Sequence, residues 1–475
     1  MFISSPVIGQ IPPPQRVRSI RYEQTPARPI VAPRQTLDEA ELVEIVQPPK
    51  PSQPDPYAEA KRLLDDKDFL KSLPLLEKAS AAGNAQAMCD LGELYYNGLG
   101  VVQDYAKARG WYQKAADAGH TLAMADLGYL YEKGQGVDID YVRARTWYQK
   151  AAEAGNADAM FNLAVLYTEG QGVPRDNAQA VAWCQKAADA GNVLAMANLG
   201  DIYNNGLVVE KDYGRARTWY QKAAQAGNAD SAYNLGILYL KGLGVTQDYA
   251  IACQWLQKAG EAGNVQAMLG LGLMYGSSEG VVLDYGVARR WLQKAAEANS
   301  DLAMATLGVM YEEGKGVLQD YAVAREWFRK AAAAGDASAV YNLGLIYMNG
   351  WGIARDFDQA RDYYQRAAHA GHAGAMNNLG VLYEKGWGVT QDYTKAQDWL
   401  QKAAAAGNVD AKNMLVKLHS ENKEVTRDQS QARAWFESFR VFIDRFQSLA
   451  FWCMCATLLL AATARSFWKQ KIGKE

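Results

Sequence analysis

Apolar residues in the stretch 87–122 fall into two helical stripes separated by a glycine-bearing polar loop. Ala87, Leu91, Leu94 and Tyr95 mark the buried side of a first helix; Ala108, Trp111, Tyr112 and Ala115 mark that of a second. Gly92 lies beside the first stripe, where a missing side chain lets the neighbouring helix approach closely. Gly98 and Gly100 end the first helix, because glycine adopts positive φ without steric cost. Val101 can tuck the loop under the core. Asp104 stands where an N-cap belongs, its carboxylate able to accept from the first free amides of the second helix, a bond worth about 1 kcal/mol. Gly119 follows that helix as its C′ residue.

The same pattern returns every 36 residues. Trp111, Trp147, Trp183, Trp219, Trp255, Trp291, Trp327, Trp399 and Trp435 keep that spacing, with Tyr363 in the eighth place. Asp104, Asp140, Asp176 and their successors to Asp428 keep it seven residues earlier, so whole units repeat without insertion. Asn299 replaces the helix-ending glycine in the sixth unit and is the next best residue for a left-handed cap. A large ring among small alanines predicts a buried tryptophan, whose truncation costs about 3–5 kcal/mol. Units this regular bury their apolar faces only by stacking on one another, so the fold class is an all-α solenoid, an architecture suited to binding other proteins.

The consensus Ala-x-x-x-Leu-Gly-x-x-Tyr-x-x-Gly-x-Gly-Val, then Asp-x-x-x-Ala-x-x-Trp-Tyr-x-Lys-Ala-Ala, resembles the Sel-one-like (Sel1) repeat, a relative of the tetratricopeptide repeat. Ala123, Leu127, Gly128, Tyr131, Gly134, Gly136, Val137, Asp140, Ala144, Trp147, Tyr148, Lys150, Ala151 and Ala152 carry it throughout. The resemblance implies a right-handed superhelix of antiparallel helix pairs, used by adaptors and scaffolds in assembly, signalling, quality control and host–microbe interaction. Ser278 departs from it at a loop glycine. Val416, His419, Asn422 and Glu424 depart from it in the tenth unit, which therefore reads as a degenerate cap.

Seven segments follow: a Pro-rich disordered segment (1–56), an N-terminal capping half-repeat (57–86), nine repeats (87–410), a degenerate C-terminal cap (411–436), a linker (437–445), a transmembrane helix (446–464) and a basic tail (465–475). Twelve of the 14 prolines fall in the first, which cannot sustain helix or sheet ladders. Arg16, Arg18, Arg21, Arg28 and Arg34 face a single acid, Glu23, and give it a basic cast. A solvated tail is the first reading of that charge, a translocation address or membrane contact the second. The stretch Leu37–Val46 is acidic and apolar, the pattern of a short docking helix.

Phe446–Ala464 runs 19 residues without a charge. At about 1.5 Å per residue it nearly matches a hydrocarbon core of about 30 Å. Gln447, Ser448, Thr457 and Thr463 dilute its apolarity, so a helix packed on the last repeat is the alternative to an anchor. The tail residues Arg465, Lys469, Lys471 and Lys474 outnumber Arg440 and Arg445, which favours a cytosolic tail and exported repeats. Met1–Gln10 lacks the core of a signal peptide, which instead leaves the repeats in the cytosol. The expected placement is a single-pass membrane protein with cytosolic repeats; the alternatives are an exported periplasmic or lumenal factor, or a secreted effector inserting into a host membrane.

Charge and chemistry narrow the function further. Fifty Lys plus Arg against 52 Asp plus Glu argue against a bulk nucleic-acid binder. Cys89, Cys184, Cys253, Cys453 and Cys455 show neither disulfide nor zinc spacing, and with no N-glycosylation sequon they fit a reducing compartment. Gly276-Ser277-Ser278-Glu279-Gly280 matches a nucleophile elbow in letters but lies in a helical repeat rather than after a strand. His120, His369, His372 and His419 lack companion ligands and read as surface residues. Neither a cofactor, a metal nor catalysis is expected.

Binding is expected on the first helices, at the position three residues after the leading alanine. Asp90, Asp126, Asn162, Asn198, Asn234, Thr306, Asn342 and Asn378 occupy it. An Asn both donates to and accepts from a peptide backbone, so this ladder could clamp an extended chain. The competing reading is that these groups bond to the adjacent repeat and serve only packing. Tyr96, Tyr129, Glu132, Lys133, Tyr233, Tyr341, Met348 and Trp351 beside them are the candidates for specificity.

Overall fold

The computed structural model describes residues 55–206, 208–418 and Glu437. Phe446–Ala464, the basic tail, and residues 1–54 with their prolines and arginines lie outside the described residues. Among the described residues the regular elements are helices, in consecutive pairs. First comes α1 (Pro56–Asp65) with α2 (Phe69–Ala81). Nine repeats follow, each a pair of 13-residue helices. Their first helices are α3 (Ala85–Asn97), α5 (Thr121–Lys133), α7 (Ala157–Glu169), α9 (Val193–Asn205), α11 (Ala229–Lys241), α13 (Val265–Ser277), α15 (Asp301–Glu313), α17 (Ala337–Asn349) and α19 (Ala373–Lys385). The second helices are α4 (Tyr105–Asp117), α6 (Tyr141–Glu153), α8 (Asn177–Asp189), α10 (Tyr213–Gln225), α12 (Tyr249–Glu261), α14 (Tyr285–Glu297), α16 (Tyr321–Ala333), α18 (Phe357–His369) and α20 (Tyr393–Ala405). A further helix begins at Val409 and is described to Leu418. Two compact units divide between Lys294 and Ala295, within α14.

The helices start and stop where the sequence dictates. Asp104 and Asp140 accept from the amides of Lys107 and Arg143, 2.9 Å each, as N-caps of α4 and α6. First helices are capped by Asn84, Asn156 and their equivalents, and end on a left-handed residue such as Gly98 (φ 71°). Ser278 (φ 55°) and Asn299 (φ 64°) hold the same conformation without being glycine. Ser278, the nominal elbow serine, thus ends a helix rather than following a strand.

The N-terminal cap departs from the expected half-repeat. Residues 56–81 form a complete helix pair, with Pro56 at the first turn of α1 rather than in the tail. The first helix was hidden because α1 is three residues shorter and lacks the Leu-Gly-x-x-Tyr signature; its core contributions are Ala60, Tyr57 and Leu64. The first full repeat accordingly begins at Ala85, two residues earlier than the stripe from Ala87 suggests.

The repeating tryptophan is not the core plug. Trp111, Trp147, Trp183, Trp255, Trp327 and Trp399 are only half-buried; Trp219 and Trp291 are buried. The residue that follows fills the interior: Tyr112, Tyr148, Tyr220, Phe328 and Tyr364 are almost fully enclosed. Each such ring lies against a first-helix glycine. A Cβ on Gly92 or Gly128 would sit 2.6 Å from the ring of Tyr112 or Tyr148. Trp147 and Trp183 instead wedge against the core of the preceding repeat, and the lysine one turn on covers the exposed face, Lys150 lying 4.2 Å and Lys186 4.0 Å from the ring centroid. The tryptophan therefore joins repeats and forms a cation–π pair, while its neighbour plugs the core.

Repeats 3 and 4 break two of these pairings together. Ala164 replaces the close-approach glycine, and its partner shrinks to Cys184; a cavity of about 40 Å³ remains, lined in part by Ala164, Cys184, Asn198 and Ile202. Burial pushes the Cys184 thiol up to about 12. Elsewhere within each unit the second loop glycine seats on the start of the preceding repeat's second helix, as Gly136 does on Tyr105 and Ala106. In repeat 4 that glycine is Val208, and the residue it faces by register is Asn177 instead of an aromatic.

Candidate functional site

Within each unit, one stripe of each first helix faces its counterpart in the next repeat, built from positions 2, 5, 6, 9 and 12 of the repeat at helical spacing. Hydrogen bonds cross between neighbouring stripes. Tyr57 donates to Asp90 (3.0 Å), and Asn234 to Asp201 (3.4 Å). Cap residues add a second series, in which Asn192 donates to Asp158 (2.8 Å) and Asn264 to Asp230 (2.7 Å). His120 joins it, its Nε2 3.0 Å from Gln86 Oε1 while Nδ1 accepts from Ala123 N–H.

The expected ladder is divided by burial. Asp90, Asp126 and Asn162 are 3%, 7% and 2% exposed, so they are interior groups and not peptide contacts. Asp90 also takes a bond from Gln86 (2.8 Å), which commits both carboxylate oxygens to packing. Asn198, Asn234, Thr306, Asn342 and Asn378 are half-buried. Thr306 is turned onto its own helix, donating to the Leu302 carbonyl at 2.7 Å. Asn378 meets Tyr341 Oη at 3.5 Å. The packing role weighed from sequence thus fits Asp90, while Asp126 and Asn162 are interior by burial and the remaining members are half-buried.

Neighbouring candidates divide likewise. Glu132, 2% exposed, accepts from Tyr148 Oη (2.9 Å) and pairs with Lys133 (3.1 Å), so it is locked in the interior. Tyr96, Tyr129, Tyr233 and Tyr341 are half-buried. Trp351, in the loop after α17, stacks on Tyr321 with centroids 5.7 Å apart. His372, expected on the surface, caps α19 through Nδ1 and stacks on Tyr341 at 4.4 Å.

The electrostatics of the stripe were missed from sequence. Across nine repeats its five positions carry nine acids, from Asp90 to Glu384, and no Lys or Arg. Sorting the charges by repeat position would have found this in a chain that is neutral overall. Burial raises the Asp158 and Asp201 carboxyls above the ordinary carboxylate range; Tyr220 donating at 2.6 Å pulls Asp201 back, and the Asp230 charge pushes it further up. Burial, then Glu313, likewise raises Glu312. Among the described residues no cluster of His, Cys, Asp and Glu could hold a metal ion, and no helix is long and apolar enough to cross a membrane.

The Sel1 repeat family model matches nine consecutive windows, from residues 85–120 to 373–408, and again residues 418–439. A protective antigen of uropathogenic Escherichia coli with an SLR fold is 31% identical, over 80% of this chain and 83% of its own, with a TM-score of 0.65. A Sel1 repeat protein from Oxalobacter formigenes is 36% identical over 51% of this chain and 99% of its own, with a TM-score of 0.47. No curated protein matches the chain.

Proposed function

Since the chain belongs to the Sel1 repeat family, whose repeats make a scaffold suited to protein interactions, we propose that it binds partner proteins through extended segments laid along its first-helix stripe. Two half-buried pairs carry this reading, Asn198 with Asn234 in the first unit and Asn342 with Asn378 in the second, each with tyrosines beside it. Side chains in such a row can exchange hydrogen bonds with a peptide backbone while rings cover its side chains. The scaffold has no catalysis of its own. Phe446–Ala464 tethers it to a membrane, and the repeats face the cytosol.

Selection of twelve-residue peptides on the immobilised chain tests the binding surface. Ligands should be recovered that lose binding when Asn198→Arg blocks the first pair or Asn342→Arg the second. Ligands indifferent to both substitutions would remove these asparagines from the function. Protease treatment of carbonate-washed membranes tests the tether: digestion of the repeats with retention of the C-terminal fragment is expected. Protected repeats would favour the exported reading, for which the basic tail from Arg465 to Lys474 speaks.

A further inference from the structure

The first-helix stripe of repeats 1–5 combines acids with aromatic rings and holds no basic residue. Glu93 and Asp230 are exposed on it; Asp158 and Asp201 are half-buried, as are Tyr129 and Tyr233. Among the described residues, Asp158 and Asp201 are bonded only by neutral donors, Asn192, Tyr220 and Asn234. Both carboxyls are held above their ordinary range, so a cation brought beside them would relieve charge that the fold leaves uncompensated.

The same chain contains a segment with the complementary chemistry. Residues 12–34 carry Arg16, Arg18, Arg21, Arg28 and Arg34 against Glu23 alone, interleaved with Pro12, Pro13, Pro14, Pro26, Pro29 and Pro33. Arginine pairs with carboxylates through a planar fork, and proline-rich chain docks on aromatic grooves in an extended form that loses little entropy on binding. We infer that residues 12–34 lie along the acidic, tyrosine-bearing first-helix stripe of repeats 1–5 and occupy it in cis. This inference rests on the stripe being a peptide-binding surface.

Geometry permits the connection. Tyr57, two residues after Asp55, donates to Asp90, so the chain enters the solenoid at this stripe. From Arg34 to Asp55 the linker spans up to about 69 Å at about 3.3 Å per residue. Arg16 to Arg34 covers about 56 Å as polyproline II, against about 40 Å for five helices side by side at about 10 Å spacing. Asp38, Glu39, Glu41 and Glu44 fall in the linker, where like charge keeps them off the stripe. Partners with basic extended segments would then compete with the chain's own.

Photo-crosslinking in the full-length protein tests this, with p-benzoylphenylalanine replacing Tyr129, Tyr233 or, as a control on a second helix, the exposed Gln221. Positions 129 and 233 should crosslink to residues 12–34 within one molecule, and position 221 should not. The yield should fall roughly fivefold when the five arginines are replaced by glutamate, and again in about 0.5 M salt, where screening shortens the reach of exposed charges. The double variant Glu93→Lys/Asp230→Lys should lower it similarly at unchanged helix content by circular dichroism. Absence of crosslinks to the segment, equal crosslinking from Gln221, or products only of dimer size would overturn occupancy in cis. If the peptide selection nonetheless yields ligands blocked at Asn198, only this inference fails; if it yields none, the peptide-binding reading fails with it.

Discussion

Asp201 shows how a single side chain can be tolerated at a cost. Its place in the repeat is apolar in most other copies, Val165, Ile237, Leu273, Val309, Leu345 and Val381 among them. Burial raises its pKa; Tyr220 and Asn234 offer neutral bonds, and Asp230 adds repulsion. An acid held up in the native state binds its proton more tightly there than when unfolded. Stability is therefore greatest below the unfolded carboxylate range and declines as pH rises through the native value. Asp201→Asn keeps an acceptor for Tyr220 and removes the charge, so it should raise the melting temperature near pH 7 and lose that advantage near pH 3. An equal or lower melting temperature at pH 7 would contradict this account. His372 behaves oppositely. Burial lowers its pKa below the ordinary imidazole value, Asp336 opposes this, and Nδ1 must be unprotonated to accept from Ala375 N–H. Its contribution is present above the ordinary imidazole range and disappears as pH falls through the lowered native value. Thermal melts from pH 7 to pH 4 should show less acid destabilisation for His372→Asn, which restores the residue found at Asn192 and Asn228.

At the scale of helices, the repeats are locked by paired positions. Gly128 exists to receive the Tyr148 ring, so Gly128→Ala should cost about 1–3 kcal/mol through overpacking. Repeat 3 carries the complementary solution, Ala164 with Cys184. Cys184→Tyr should destabilise alone, yet combined with Ala164→Gly it should recover most of the loss and fill the cavity at that site. Additive effects in a urea-denaturation cycle would show that the pair is not a unit. Helix pairs, caps and loop glycines were legible in the sequence because each rests on local chemistry repeated in register. The roles of Trp147 and Tyr148 were not, since adjacent rings share the same period and only packing tells wedge from plug. The first helix of the N-terminal pair was missed because its stripe, Tyr57, Ala60 and Leu64, uses none of the repeat's signature letters. Burial of Asp90, Asp126 and Asn162 was equally invisible, because a polar letter at a recurring position reads the same whether it faces solvent or a neighbouring repeat.

For the whole array, stability is a sum of repeats and nearest-neighbour joints, so excising one repeat in register should be tolerated wherever the new joint resembles the old. The joints here are not all alike, and this makes the outcome depend on which repeat is removed. Gly172 sits so close to the Tyr141 backbone that any Cβ there would collide with it. Removing residues 157–192 would bring Tyr141 opposite Val208, a large residue at the place where the other joints have glycine. Removing residues 157–228 instead brings Tyr141 opposite Gly244, restoring the ordinary pairing although twice as much chain is lost. The longer excision should therefore melt at the higher temperature of the two, and Val208→Gly in the shorter one should close most of the gap. A shorter excision that melts higher without that substitution would mean that total length, rather than the fit of each joint, governs the stability of this solenoid.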